Sequence, residues 1–83
     1  MEEYQEILTD IFKKSKDKTV KGAAETANQY TEVFKNGVID TDEYTKLMSF
    51  IIDTNQINRN VKNIKFMDDM NDAITGLIDI ANK

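Results

Sequence analysis

The amino-acid sequence predicts an all-α protein in which two short N-terminal helices pack on a long C-terminal helix, either straight or kinked. Apolar residues recur at steps of three and four along most of the chain, which is the period of an amphipathic helix. The 83 residues include no Pro and three Gly, so little in the chain interrupts helical structure. A charged fraction of 31% beside an apolar fraction of 40% is typical of amphipathic helices with one solvated face. We therefore expect a single domain over residues 1–83, built as a three- or four-helix bundle.

The first helix is predicted over Glu2–Lys14. Its first turn is acidic and its last turn contains Lys13 and Lys14, so both ends complement the helix macrodipole. The polar residues 15–17 interrupt the pattern and predict a turn. One face of this helix carries the apolar residues Tyr4, Ile7, Leu8, Ile11 and Phe12.

The second helix is predicted over Thr19–Lys35, with Thr19 as its N-cap. Its apolar face begins with alanines, which let a neighbouring helix approach closely, and ends with Tyr30 and Phe34. The Asn36-Gly37 dipeptide that follows is typical of a left-handed helix stop, so the helix should end at Lys35.

The third helix is predicted over Thr41–Asn82, with Asp40 or Thr41 as its N-cap. Residues 53–60 are rich in Asn and Asp, which compete with the helix for backbone hydrogen bonds. A break near residues 55–60 would divide the long element and give a fourth helix. The apolar residues stay in helical register through the segment, and neither Gly nor Pro occurs there, which favours one continuous helix.

The residue types needed for most active sites are missing from this chain. It contains neither Cys nor His, so thiolate and imidazole groups are not available as ligands or bases. Ser15 and Ser49 therefore lack the usual base for a hydroxyl nucleophile, and no glycine-rich phosphate-binding motif occurs. We expect no catalytic residues, no metal site and no cofactor, and we predict that the protein is not an enzyme.

Residues 36–44 resemble the second half of an EF-hand calcium loop. Gly37 takes the position of the sharp turn, and Glu43 takes the twelfth position, where a calcium loop has its bidentate ligand. Position three of such a loop would be Phe34, which has no oxygen to offer. A helix stop followed by a helix cap explains the same residues without a metal ion.

The long predicted helix carries apolar residues on more than one face, which is more than two short helices are expected to cover. Exposed apolar residues in quantity mark an interface, and association would add buried surface to a small domain without disulfides. We therefore predict a helical homo-oligomer, coiled-coil-like, in which Asn55 and Asn58 set the register between copies. The predicted interface residues are Phe50, Ile51, Ile57, Val61, Ile64, Phe66, Met67, Met70, Ile74, Leu77 and Ile78.

These features predict a small non-enzymatic interaction protein that binds itself and another protein, as an accessory or inhibitor protein would. The frequent Lys, Asn, Ile and Asp residues fit an AT-rich coding sequence such as that of a phage. An acidic N-terminus and the absence of an apolar run of about 20 residues predict a cytoplasmic protein with no membrane partner.

A cluster of lysines suggests an alternative function. The chain has 11 Lys and Arg against 15 Asp and Glu, for a net charge of -4, so the cluster is a local exception. It predicts that the protein sequesters a phosphorylated small molecule or nucleotide at an oligomer seam, whereas the net charge argues against nucleic acid. A solvated turn explains the same residues without a ligand. The lysines are Lys13, Lys14, Lys16, Lys18 and Lys21.

Overall fold

The computed structural model describes residues Met1–Lys83 and contains four α-helices and no strand. The helices are α1 (Glu2–Lys14), α2 (Lys18–Lys35), α3 (Thr41–Asn58) and α4 (Ile64–Ala81). Short connections make consecutive helices antiparallel neighbours. Both α1 and α3 pack on α2 and α4, so α1 and α3 lie diagonally across a bundle of 35 × 22 × 18 Å. The all-α prediction is confirmed, in its four-helix form.

The continuous helix predicted over Thr41–Asn82 is wrong, because the chain turns back at residues 59–63. The Asn60 Oδ1 accepts hydrogen bonds from the backbone amides two and three residues later, at 2.9 and 3.2 Å. The Asn63 Oδ1 accepts a hydrogen bond from the Asn60 amide at 2.8 Å. These side chains replace the bonds that a helix would make, as Asn does in turns. Folding back also covers the apolar face of α4, which a straight rod would leave in water.

Aspartate side chains set the starts of two helices. The Asp17 Oδ1 accepts a hydrogen bond from the Thr19 amide at 2.8 Å, and α2 begins at Lys18. Thr19 is therefore not the N-cap that we predicted. An Asp carboxylate caps as well as a hydroxyl and also complements the positive end of the helix dipole. Asp40, one of the two predicted caps, begins α3 by accepting a hydrogen bond from the Glu43 amide at 2.8 Å.

The core draws on all four helices, and Tyr44 is its largest fully buried side chain. The Tyr44 and Thr31 hydroxyls share a hydrogen bond of 2.7 Å, and the Tyr44 ring stacks on Phe34 with 4.4 Å between centroids. Burial raises the pKa of Tyr44, and the hydrogen bond with Thr31 acts in the opposite direction. Phe34 thus lies in helix and holds α2 against α3, where an EF-hand would need an open loop. The core residues are Leu8, Ile11, Val20, Ala24, Ala27, Tyr44, Met48, Ile51, Met67, Met70, Ala73, Ile74 and Leu77.

Two glycines within helices have opposite surroundings. The ring of Tyr4 in α1 lies directly over Gly76 in α4, so a Cβ at Gly76 would come within 2.6 Å of the Tyr4 Cε1 and 2.9 Å of Cε2. Gly76 therefore allows α1 and α4 to pack closely. A Cβ at Gly22 in α2 would meet no atom within 4 Å, so that side of α2 is open.

Candidate interaction surfaces

The predicted interface residues divide into a buried group and an exposed group. Ile51, Met67, Met70, Ile74 and Leu77 are buried in the core of the single chain. These five side chains are therefore not available to a partner, because the helices of the same chain cover them. Phe66 and Ile78 are half-buried against that core. The exposed fractions of the remaining side chains are 68% for Phe50, 83% for Ile57, 91% for Val61 and 39% for Ile64. We call Phe50, Ile57, Val61 and Ile64 the apolar surface.

The apolar surface exists because α3 has apolar residues on two faces. The face that contains Met48 and Ile51 enters the core. Phe50 and Ile57 are seven residues apart, which is two helical turns or about 10 Å, so they lie on one other face of α3. Val61 lies in the turn that follows α3 and is also exposed.

A shallow groove of about 270 Å³ lies between α2 and α3 beside Phe50. The α2 side of the groove is lined by the small residues Gly22, Ala23 and Thr26. Because a Cβ at Gly22 would touch nothing, the groove is open to a side chain from outside. Phe50 and the groove together form a projecting aromatic next to a depression.

Asn55 does not lie at a seam between copies, because it is only 1% exposed within the single chain. Its Nδ2 donates a hydrogen bond to the Asn71 Oδ1 at 2.8 Å and approaches the Met70 sulfur at 3.2 Å. The Asn55 Oδ1 and the Asn71 Nδ2 have no hydrogen-bond partner. The amide pair therefore joins α3 to α4 inside the subunit, while Asn58 is exposed at the end of α3.

One end of the bundle is strongly basic. The Asn63 Nδ2 donates a hydrogen bond to the Asp17 Oδ2 at 3.3 Å, which joins the α1–α2 turn to the α3–α4 turn. Residues 13–21 and 57–66 meet there and contain eight of the 11 basic side chains, with Asp17 as their one carboxylate. We call these two segments the basic end. Its cationic residues are Lys13, Lys14, Lys16, Lys18, Lys21, Arg59, Lys62 and Lys65.

The predicted lysine cluster is only partly free to bind a ligand. Lys21 donates hydrogen bonds through Nζ to the carbonyl oxygens of Phe12 (2.8 Å) and Ser15 (3.3 Å), and its Nζ lies 4.6 Å from the centroid of the Phe12 ring. Lys21 thus holds the C-terminal end of α1. The other four members are exposed: Lys13, Lys14, Lys16 and Lys18.

Sequence reasoning missed the second half of the basic end. Arg59, Lys62 and Lys65 were expected along a continuous helix, far from the first turn, and only the reversal at residues 59–63 brings them there. Arg59 donates two hydrogen bonds to the Asp68 carboxylate, at 3.0 and 3.1 Å. The Asp68 hydrogen bond raises the pKa of Arg59 above its usual value. The many Asn residues of the turn are the one feature of the sequence that indicates a reversal of the chain there.

The rest of the surface shows no arrangement with obvious chemistry. No group of three or more Asp or Glu side chains is arranged to hold a metal ion. None of the helices combines the length and the apolar character needed to cross a bilayer. Comparisons of the chain with models of protein families, with curated proteins and with solved structures find no match. A functional proposal therefore depends on the apolar surface and the basic end.

Proposed function

We propose that this chain is a small, non-enzymatic interaction protein that associates with itself and with another protein. The observation that supports the proposal is the exposure of Phe50, Ile57 and Val61, each by more than two thirds, on one helix and its adjoining turn. Clustered large apolar side chains in water mark binding surfaces on small domains. An accessory or inhibitor protein of the kind that phages encode, acting in the cytoplasm, fits this description.

The apolar surface is a source of binding free energy that the folded chain leaves unused. Full burial of a Phe or Ile side chain contributes about 1.5–3 kcal/mol, and Phe50 and Ile57 both keep most of their area in water. An aromatic side chain beside an open groove is also the arrangement typical of a binding hot spot. A partner that covers Phe50 and fills the groove would bury both at once.

Self-association can be tested by measuring the mass in solution across a range of protein concentrations. We expect the light-scattering mass and the melting temperature of the wild type to rise with concentration, because association stabilises the folded state by mass action. F50Q/I57Q should remain monomeric at the same concentrations. Both residues are exposed, so the double variant should fold normally.

The matched control is Ile7→Gln, which removes an apolar side chain that is 40% exposed on α1, outside the apolar surface. This variant should associate as the wild type does. A wild-type chain that is monomeric at every concentration, with a melting temperature that does not change, would contradict the proposal.

A second candidate function is the sequestration of a phosphorylated small molecule at the basic end. It is supported by the four exposed lysines of the first turn, to which the fold adds Lys62 and Lys65. Inorganic phosphate or a nucleoside triphosphate should then raise the melting temperature of the wild type but not of K13A/K16A. Lys46→Ala is the control, since Lys46 lies outside the basic end. A ligand panel that leaves the wild-type melting temperature unchanged would reject this function.

A further inference from the structure

The end of the bundle opposite the basic end is acidic. The start of α1, the end of α2, the start of α3 and the end of α4 meet there, as the hydrogen bonds from Gln5 to Glu32 (2.7 Å) and from Asn82 to Thr45 (3.0 Å) show. We call residues 1–6, 35–46 and 79–83 the acidic end. Three lysines also occur in these segments, and one of them, Lys35, is paired with Glu32 at 3.5 Å. The carboxylates of the acidic end are Glu2, Glu3, Glu6, Asp40, Asp42, Glu43 and Asp79.

Each end also presents a valine at the tip of a hydrogen-bonded turn. Val61 projects from the Asn-rich turn of the basic end and is 91% exposed. At the acidic end Val38 is 71% exposed. Gly37, with φ of 76°, and a hydrogen bond of 2.9 Å from the Val38 amide to the Val33 carbonyl oxygen hold this valine in place. Each end therefore carries an exposed valine in a turn and charged segments, and the sign of the charge is opposite at the two ends.

We propose that the basic end of one copy binds the acidic end of a second copy, head to tail. The inference rests on the self-association proposed above: Ile57, Val61 and Ile64 of the apolar surface lie within the basic end, so a contact at this end would bury part of that surface. Charge complementarity supports a second copy as the partner, because the chain carries both members of the pair at opposite ends of its 35 Å long axis. Two identical ends would repel each other, so a symmetric end-to-end dimer is disfavoured.

A head-to-tail contact leaves one free end of each kind, so it produces open chains of subunits unless the chain closes into a ring. The contact is small. The cross-section of the bundle is 22 × 18 Å, so each copy can bury at most roughly 400 Å², or about 800 Å² in total, below the standard size of specific interfaces. We therefore expect weak association that decreases with salt, because exposed charges are screened beyond about 10 Å at 0.1 M.

The test uses two variants, each with two charges reversed at one end. K16E/K62E reverses two exposed charges of the basic end and leaves the acidic end intact. E3K/D42K does the opposite. None of these four side chains makes a hydrogen bond or salt bridge in the structure. E25K/D72K is the matched control, since it has the same net charge as E3K/D42K but changes two exposed carboxylates near the midpoints of α2 and α4.

Sedimentation velocity at 20 mM and 500 mM NaCl separates the possible outcomes. At low salt we expect wild type and E25K/D72K to form oligomers, each end variant to associate more weakly, and an equimolar mixture of the two end variants to form mainly 1:1 dimers. High salt should dissociate all of these species. Dimers in the mixture support the pairing of the two ends, because a contact between identical surfaces away from the ends would not require two different variants.

End variants that associate as the wild type does, while F50Q/I57Q is monomeric, would overturn the head-to-tail contact and leave the proposed function standing. A monomeric wild type would remove both. If the wild type is monomeric but binds anionic phospholipid vesicles or inorganic phosphate, and K16E/K62E does not, the basic end serves an anionic ligand and the second copy is the wrong partner.

Discussion

The close packing of the Tyr4 ring in α1 on Gly76 in α4 predicts that one substitution has opposite effects at two glycines. Replacing Gly by Ala inside a helix stabilises a protein by about 0.5–1 kcal/mol, because Ala loses less backbone entropy on folding. At Gly22 nothing opposes this gain, since the new Cβ meets no atom within 4 Å. We expect Gly22→Ala to increase the free energy of unfolding by about 0.5–1 kcal/mol and the melting temperature by about 4 °C.

At Gly76 the same change should be destabilising. The new Cβ would lie 2.6 Å from the Tyr4 Cε1, so the half-buried ring must leave its position on the core. Overpacking of this kind costs about 1–3 kcal/mol, which exceeds the gain from the helix. We therefore expect Gly76→Ala to decrease the free energy of unfolding by about 0.5–2 kcal/mol.

Urea unfolding at a protein concentration low enough to keep the chain monomeric measures both free energies. Tyr4→Ala supplies the control for Gly76, because removal of the ring leaves only the helical gain. In the Tyr4→Ala background, Gly76→Ala should become stabilising. If Gly76→Ala stabilises the otherwise unchanged chain as much as Gly22→Ala does, the packing of α1 on α4 described above is wrong.

Three further predictions concern buried and capping groups. Because burial raises the folded-state pKa of Tyr44 above its unfolded value of 10.0, its contribution to stability is present below pH 10 and is lost as pH rises through the folded-state pKa. Tyr44→Phe should therefore unfold less steeply with alkali, by circular dichroism, and a variant with the same alkaline profile as the wild type would contradict this. Replacing Asn55 or Asn71 alone by Leu should decrease the free energy of unfolding in urea by about 1–3 kcal/mol, because it leaves the other buried amide without a partner. Replacing both should change the free energy of unfolding very little. A double-mutant cycle with no coupling would refute the pairing. Asp17→Ala should decrease the free energy of unfolding by about 0.5–2 kcal/mol and Thr19→Ala should decrease it much less, since Asp17 is the N-cap of α2. Equal melting temperatures of the two variants would indicate that Thr19 is the cap instead.

The candidate surfaces could be predicted only in part. The sequence predicted two of their parts. It showed the lysines of the first turn as a charge cluster, and it showed Phe50 as an apolar residue outside the face of the third helix that was expected to pack on the first two helices. Arg59 and Lys62 could not be assigned to the same end, because they are about 40 residues from that turn in the chain and a hydrogen bond between the two turns brings them together. Predicted interface residues such as Met70 proved to be core, because periodicity shows that a face is apolar but not what covers it.

By itself the sequence determined the features that depend on neighbouring residues. The helical period, the end of α2 before Gly37 and the start of α3 at Asp40 or Thr41 all follow from contacts within a few residues, and the structure agrees with each, with Asp40 as the cap. Only the tertiary structure decided whether the chain continues or turns at residues 59–63. Asn side-chain hydrogen bonds replace helical hydrogen bonds there, and the reversal of the chain packs α4 against α1 and α3. That packing depends on residues far away in the chain, which is why local patterns could not predict the turn or the charged end that it creates.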